Sequence, residues 1–356
     1  MSKRFDWRKK FALLLAWGLV FCLSPAPAAF INGQSYVSLA DWARANSLNA
    51  SRTSRGDEMV LANQTTRLVF DVNSRYADIN GVRVALSFPI ANAKGVLLIA
   101  QLDLDTAVRP LIFPPKLSAK RITTICLDPG HGGKDTGNRV GWHYEKIYTL
   151  ALAAQVRDQL KQAGFNVIMT RTRDTYVDLP LRPALANRRG ADLFVSLHFN
   201  ATPTGRSEVE GPQTYCITPA GASSTDAPGE GSNHGPTPAN RVEQRSLLLA
   251  YQIQKSLVRN LGAEDRGVRR ARFAVLCDAS MPAILIEGGY MTHPVEGRKI
   301  FSDAYRYQMA QAIVRGIVAY QKMTSPPVSA PLPATNLPSP KRARVPSAKH
   351  LPDDAR

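Results

Sequence analysis

Short apolar, β-branched runs alternate with helical patterns through the middle of the chain. The apolar runs cover residues 122–127, 166–170, 193–199, 213–217, 273–277 and 283–286. Helical spacing, with apolar residues three or four apart, covers residues 145–163, 179–189, 242–261 and 305–321. This alternation predicts an α/β fold, because crossover helices cover both faces of a sheet and make much of it parallel.

The first third of the chain has a different pattern. It holds β-like stretches at residues 34–37, 66–72, 82–88 and 96–102, separated by Asn, Gly and Ser, with a short helical stretch at 39–45. We therefore predict a small β-rich module over residues 30–115. The prolines at 114 and 115 resist both helix and ladder pairing, which predicts a linker over residues 116–120 before the larger α/β domain at 121–322.

Both ends of the chain differ from a folded domain. Residues 1–28 combine five Lys and Arg, an apolar run at 11–23 and the small-residue pattern Ala26-Pro27-Ala28, which predicts a cleavable signal peptide. The apolar run is too short for a stable membrane span. Residues 323–356 are rich in Pro, Ser and Ala and predict a disordered basic tail. The expected location is the periplasm or the outside of the cell.

The amino-acid composition and net charge indicate which kinds of molecule the protein could bind. Hydrophobic residues make up 44% and charged residues 21%, which suits a globular protein with a real core. The net charge of +17 favours polyanions. An exported chain meets anionic wall polymer or a membrane surface before nucleic acid, and no nucleic-acid-binding signature is present. Beyond the leader, Cys126, Cys216 and Cys277 are expected to be buried strand thiols, with a Cys216–Cys277 bridge as the alternative.

Candidate chemistry lies where apolar strands end. His131 follows the run at 122–127 within the glycine-rich sequence Pro-Gly-His-Gly-Gly, and His198 ends the run at 193–199. Sites in open α/β sheets form at such strand ends, so we expect the two histidines to converge. Glu145 begins the next helix, where the positive helix end favours a carboxylate. Two imidazoles and one carboxylate form the open three-ligand set of hydrolytic zinc enzymes.

A fourth strand end supplies Glu287, in the sequence Ile-Leu-Ile-Glu-Gly-Gly. A carboxylate in such an apolar setting is costly unless it is paired or has a chemical role, so we predict a general base. Other residues could take part instead. His143 and His234 are alternative metal ligands, and Glu208 and Glu210 are alternative carboxylates, for which a solvated loop is the simpler interpretation.

Residues from about 121 to 321 resemble the zinc-dependent amidase 3 domain of N-acetylmuramoyl-L-alanine amidases. The matching segments are LDPGHGGKDTG, Glu145-Lys146, Thr170-Arg171, ANRRGADLFVSLHFNA, RGVRRARFAVL and SMPAILIEGGYMTH. The resemblance implies a six-stranded sheet flanked by helices, one zinc ion held by His131, Glu145 and His198, and Glu287 as the catalytic carboxylate. It implies hydrolysis of the bond between N-acetylmuramic acid and L-alanine in peptidoglycan, for wall remodelling or daughter-cell separation, with an activator protein as a further partner.

The N-terminal module is similar to copper amine oxidase N-terminal-like modules, on the sequences INGQSYVSLADWARANSL, ADINGVRVALSFP and GVLLIAQLDL. That resemblance implies wall binding rather than chemistry. Two other functions remain open at this point. One is a catalytically silent wall-binding protein, and the other is a zinc hydrolase of a different wall bond, although no His-Glu-x-x-His helix is present. The Gly- and Pro-rich stretch at 219–240 contains no clear helix, so an autoinhibitory helix is not expected there.

Overall fold

The structure is a computed structural model and describes residues 29–114, 121–203, 208–225 and 235–325. The predicted signal peptide, the linker at 116–120, His234 and nearly all of the predicted tail lie outside these ranges. Among the described residues, no helix is both long and apolar enough to cross a membrane.

The N-terminal module is mostly β-structure. Its strands are β1 (Ala29–Ile31), β2 (Gln34–Ser38), β3 (Asn49–Arg52), β4 (Glu58–Ala62), β5 (Arg67–Asp71), β6 (Tyr76–Ile79), β7 (Arg83–Ala85), β8 (Ala91–Ala93) and β9 (Val96–Ala100). Helix α1 (Leu39–Ala45) follows β2, with Ser38 as its N-cap. The module ends in α2 (Gln101–Asp103), a π-helical turn (Leu104–Val108) and α3 (Arg109–Ile112).

The α/β domain follows the predicted alternation. Its strands are β10 (Thr124–Pro129), β11 (Arg139–Val140), β12 (His143–Tyr144), β13 (Asn166–Met169), β14 (Leu193–Asn200), β15 (Gln213–Ile217), β16 (Val268–Ala271) and β17 (Ala283–Tyr290). Its helices are α4 (Glu145–Gln162), α5 (Leu181–Arg188), α6 (Glu243–Leu261), α7 (Ala274–Cys277), α8 (Glu296–Phe301) and α9 (Asp303–Thr324), with a 3₁₀ turn at Pro238–Val242.

Six strands of this domain form one sheet in the order β13-β10-β14-β17-β15-β16. The β15–β17 pair is antiparallel, and the other four pairs are parallel. Helices α4 and α6 pack against the sheet, and α9 packs on both of them. Leu152, Val156 and Leu160 of α4 are fully buried, which stabilises the fold by about 2 kcal/mol for each side chain. The predicted mixed, largely parallel six-stranded sheet is confirmed.

The sheet does not end at β16, because β16 pairs in parallel with β7, where Val268 lies opposite Val84. The order then continues β7-β6-β5-β4-β3, so eleven strands form one sheet. Polar contacts reinforce the junction. The Tyr251 hydroxyl donates to Ile79 O at 2.9 Å, and Arg83 N donates to Asp265 Oδ2 at 2.8 Å. The small β-rich module and the α/β domain therefore share a hydrogen-bonded sheet.

Two local predictions were wrong. The run at 273–277 is the one-turn helix α7, because so short an apolar run has the same pattern in a strand and in a buried helix. The strand at this point in the chain is instead β16, in the basic sequence Val-Arg-Arg-Ala. Of the predicted buried strand thiols, Cys126 and Cys216 are buried in β10 and β15, but Cys277 is half-buried in α7. The alternative Cys216–Cys277 bridge is absent, since neither of these described cysteines forms a disulfide.

Candidate metal centre

Three elements bring His131, Glu145 and His198 to one point. His131 lies two residues beyond β10, His198 lies near the end of the neighbouring parallel strand β14, and Glu145 is the first residue of α4. One ligand-type atom from each residue lies within 4.8 Å of the other two. The residues predicted from three separate sequence segments thus form one cluster with the size and donor types of a metal site.

Glu145 lies between the two imidazoles. Its Oε2 is 3.0 Å from His131 Nε2, and its Oε1 is 3.0 Å from His198 Nδ1. The carboxylate is almost fully buried, whereas both rings retain some exposure. The ring centroids are 4.8 Å apart in an edge-on arrangement. The two rings and the carboxylate can therefore face a common ion.

Backbone groups fix the Glu145 carboxylate. Phe199 N donates to Oε1 at 3.0 Å, and Asn138 N donates to Oε2 at 2.9 Å. On the other side of His131, Nδ1 lies 2.8 Å from Asp135 Oδ2. A carboxylate there favours the tautomer with hydrogen on Nδ1, which leaves Nε2 to face Glu145 as a donor atom for a metal.

Charge and burial act in opposite directions on these groups. Burial alone would raise the pKa of Glu145, but hydrogen bonds from His131 and His198 outweigh it and hold that pKa well below its usual range. Burial likewise opposes protonation of His131, yet Glu145 and Asp135 raise its pKa overall. The electrostatic potential at the cluster is therefore strongly negative, which favours the binding of a cation.

The loop after β10 has little room. His131 itself has φ = 61°, a left-handed conformation that is uncommon outside glycine. Just before it, a Cβ at Gly130 would lie 2.2 Å from Cε1 of His198. Glycine at 130 is required because the second imidazole packs directly against its backbone.

Buried arginines hold this loop by its carbonyl oxygens. Arg182 donates to Pro129 O and His131 O and pairs with Asp128 at 2.8 Å, where both partners are almost completely buried. Arg171 donates to Pro129 O at 2.9 Å and to Gly130 O at 2.8 Å. Since breaking a buried pair of this kind destabilises a protein by about 3–5 kcal/mol, the arginines fix the position from which His131 projects.

Glu287 lies opposite His198 in the β14–β17 register. Its Oε2 is buried and has no hydrogen-bond partner among the described residues. Burial, followed by the nearby charge of Glu145, raises the pKa of Glu287 well above its ordinary value. An orphaned carboxylate oxygen with a raised pKa beside the cluster is suited to exchanging a proton.

A cleft opens at the cluster, and its lining includes all four predicted site residues. The remaining lining consists of polar Asp135 and Asn138, of Gly137, and of apolar Leu179, Phe273, Ala274, Val275 and Leu285. Leu179 and Phe273 are 46% and 38% exposed, so apolar surface borders the opening. The cleft can accept a ligand with both polar and methyl-bearing parts.

The alternative residues lie elsewhere. His143 stacks on Phe301 with ring centroids 3.7 Å apart, and Glu210 lies 3.6 Å from His293. Glu208 is exposed. None of these described side chains belongs to the three-residue cluster.

Sequence reasoning missed two supporting residues, Asp135 and Arg182. Asp135 had a usable signal, because it follows His131 by four residues in the same polar loop. Arg182 had no such signal in the sequence, because its contacts with residues 128–131 arise only from the tertiary structure.

The protein is thus an α/β protein in which two strand ends and the start of a helix bring together two histidines and a glutamate, a three-ligand set suited to a metal. Residues 125–319 match the Amidase_3 family, described as N-acetylmuramoyl-L-alanine amidase. The chain belongs to this family.

Individual relatives extend over different shares of the chain. It is 30% identical over 301 residues to the N-acetylmuramoyl-L-alanine amidase AmiC of Escherichia coli O6:H1, with 72% of each protein covered. Identity to AmiC of Neisseria meningitidis is 34%, over 56% of this chain and about half of that protein, 53%. The crystal structure of N-acetylmuramoyl-L-alanine amidase from Clostridium difficile 630 is 34% identical, covers 57% of this chain and 98% of its own, and gives a TM-score of 0.48.

Proposed function

We propose that the protein hydrolyses the amide bond between N-acetylmuramic acid and L-alanine in peptidoglycan, with one zinc ion held by His131, Glu145 and His198. The observation that carries this proposal is the position of Glu287 beside a partly buried cluster of two histidines and one glutamate, within the segment that matches the amidase family. The substrate is the one named by the family.

The donor set fits zinc. Two imidazole nitrogens and one carboxylate oxygen leave a coordination position open, as in hydrolytic zinc sites. Asp135 supplies the outer hydrogen bond that orients a ligating histidine. When bound, zinc supplies Lewis-acid polarisation of the scissile carbonyl and lowers the pKa of water.

Glu287 then moves the proton. As the water oxygen bonds to the lactyl carbonyl carbon, Glu287 accepts the proton that the water loses. When the carbon–nitrogen bond breaks, Glu287 returns this proton to the L-alanine nitrogen, so that the products are a lactyl carboxylate and a free amine. Its raised pKa suits the second step, since an ordinary glutamate would be a poor proton donor at neutral pH.

The remaining parts of the chain fit an exported wall enzyme. The leader-like sequence at 1–28 supports export to the periplasm or the medium, and the net charge of +17 supports attraction to anionic wall polymer. The N-terminal module would bind the wall, in keeping with its similarity to copper amine oxidase N-terminal-like modules.

Mass spectrometry of digested sacculi tests this function. Purified protein with zinc should release intact stem peptides that begin with a free L-alanine amine and leave glycan with lactyl carboxylates. New reducing sugar ends, free D-alanine or acetate would assign a different wall bond. Zinc binding and sacculus binding without any released product would instead indicate a catalytically silent wall-binding protein.

A further inference from the structure

Trp142 is the most exposed large hydrophobic side chain among the described residues, at 85%. It lies in the two-residue turn, Gly141-Trp142, of the hairpin formed by β11 and β12. The hairpin is attached to the metal centre at both ends. Asn138, just before it, donates from its backbone to Glu145 Oε2, and Glu145, just after it, donates from its backbone to Asn138 O at 2.9 Å.

The other large side chains of the hairpin pack against the protein. Val140 contacts the main hydrophobic core, and His143 stacks nearly parallel on Phe301 and hydrogen-bonds to Tyr148. The Arg139 guanidinium lies 5.3 Å from the centre of the Tyr144 ring. The turn that carries Trp142 is therefore held by packing on both strands. A rigid aromatic side chain loses little conformational entropy when it binds a ligand.

The position of this side chain in the chain is close to the proposed site. Two residues separate Trp142 from Glu145, so the two Cα atoms are at most about 10 Å apart. In the proposed reaction, the scissile amide lies at the cluster and its lactyl carbon is attached to a sugar ring. The sugar ring that carries this lactyl group would therefore lie at a comparable distance from Glu145. Indole faces carry partial negative charge and attract the C–H groups that cover one face of a sugar ring.

We propose that Trp142 is a stacking site for a sugar ring of the glycan strand, presented by the hairpin that leads into Glu145. This inference depends on the proposed amidase function for its substrate. Single exposed hydrophobic residues are common on protein surfaces. This one differs because it combines near-complete exposure, a fixed turn and a direct connection to a metal-ligand residue.

Fluorescence of the full chain measures the stacking directly. The probe is a peptide-free tetrasaccharide of alternating N-acetylglucosamine and N-acetylmuramic acid, which contains no bond that an amidase cleaves. Titration should change the tryptophan emission of the wild-type protein, and the change should be lost in Trp142→Phe. An equal change in Trp142→Phe, or no change in the wild-type protein, overturns the proposal, whatever product analysis says about the amidase reaction.

Kinetics on sacculi give the second test. Trp142→Ala should raise KM by about three- to tenfold with little change in kcat, and Trp142→Phe should restore most of the loss, because a phenyl ring also stacks. Tyr307→Ala is the matched control, since Tyr307 is an aromatic residue of the same domain, 49% exposed on α9, and its loss should leave KM unchanged. If free stem peptide or anionic lipid vesicles, in place of the tetrasaccharide, produce the Trp142-dependent emission change, glycan is the wrong partner.

Discussion

At the residue scale, the candidate metal centre is organised around Glu145, which contacts both histidines through different oxygens. Each oxygen also accepts a backbone N–H, from Asn138 or Phe199. The carboxylate is thus fixed before any ion arrives. The two histidines contribute ligand atoms to a preformed arrangement, and Glu287 stands outside it.

Removing a ligand and removing the base should have different effects. His131→Ala and His198→Ala leave two protein ligands, so each purified variant should contain well under one zinc per chain by elemental analysis. Glu287→Gln should keep its zinc and lose turnover by about 10²–10⁴-fold, because an amide cannot accept the proton.

His143→Ala is the control for the ligand variants. It also removes an imidazole near Glu145 in sequence, but from a ring that stacks on Phe301. Full zinc content in His131→Ala together with a loss in His143→Ala would reverse the ligand assignment.

The four candidate residues that the structure brings to one cleft stood out in the sequence because each occupies a recognisable position, a strand end or the start of a helix. Asp128 and Arg182 were not, since an ion pair between residues 54 positions apart depends on how α5 packs under the loop after β10. A sequence pattern can identify a side chain that belongs to a local motif. Residues that support such a side chain through long-range contacts can be identified only once the fold is known.

At the scale of elements, the segment between β10 and α4 folds back on the cluster. Gly137 has φ = 64°, and a Cβ there would lie 2.5 Å from His131 Cδ2 and 2.6 Å from Glu145 Oε2. Gly141, in the turn of the following hairpin, has nearly the same conformation, φ = 57°, but open space around it. A side chain at either glycine would strain the backbone, but only a side chain at Gly137 would also collide with the cluster. Comparing the two positions therefore distinguishes backbone strain from steric crowding.

Gly137→Ala should therefore displace a ligand and abolish stoichiometric zinc binding, whereas Gly141→Ala should keep it. Both substitutions carry a left-handed penalty of about 1–2 kcal/mol, which thermal unfolding of the two variants would measure. Zinc titration monitored by calorimetry checks the difference. Equal zinc affinity in the two variants would mean that the loop can move away from the cluster.

The element boundaries show where the hydrophobic pattern is ambiguous. Strand β14 is buried along most of its length and was recognisable as a continuous apolar run. Strand β16 contains two arginines and was missed, because its neighbours supply the burial: Arg270 donates to Thr106 O and Ile217 O. A strand that lies between two modules is buried by both of them, so its sequence does not need the alternating or continuous apolar pattern of other strands.

At the scale of the whole molecule, Asp103 is a fully buried carboxyl near that junction. It accepts hydrogen bonds from Ser87 N at 2.6 Å and Phe88 N at 2.9 Å. Burial raises its pKa to about 6 despite those bonds and the charge of Arg270. The folded protein therefore binds this proton more tightly than the unfolded chain, in which the pKa is about 3.9.

Stability should fall as pH rises through this window, because the folded state has to hold a buried charge once Asp103 ionises. Between pH 4.5 and 7 this group should remove about 2 kcal/mol from the free energy of unfolding. Asp103→Asn should lose less stability than the wild-type protein over the same interval. Urea unfolding followed by circular dichroism at both pH values measures the difference, and parallel losses in the two proteins would assign the effect to other groups.

The shared sheet also limits the distance between the candidate metal centre and the far edge of the N-terminal module. From β14, which carries His198, to the far edge strand β3 there are eight strand spacings in the observed order. At about 4.8 Å each, the span is at most about 40 Å, less whatever the twist of the sheet removes. Hydrogen-bonded strands do not allow free rotation of the N-terminal module relative to the α/β domain. A molecule anchored through that module would therefore reach only the peptidoglycan amide bonds at a nearly fixed distance from the anchor. Digestion of an intact wall would then advance in discrete patches, each about as wide as one tethered molecule can reach.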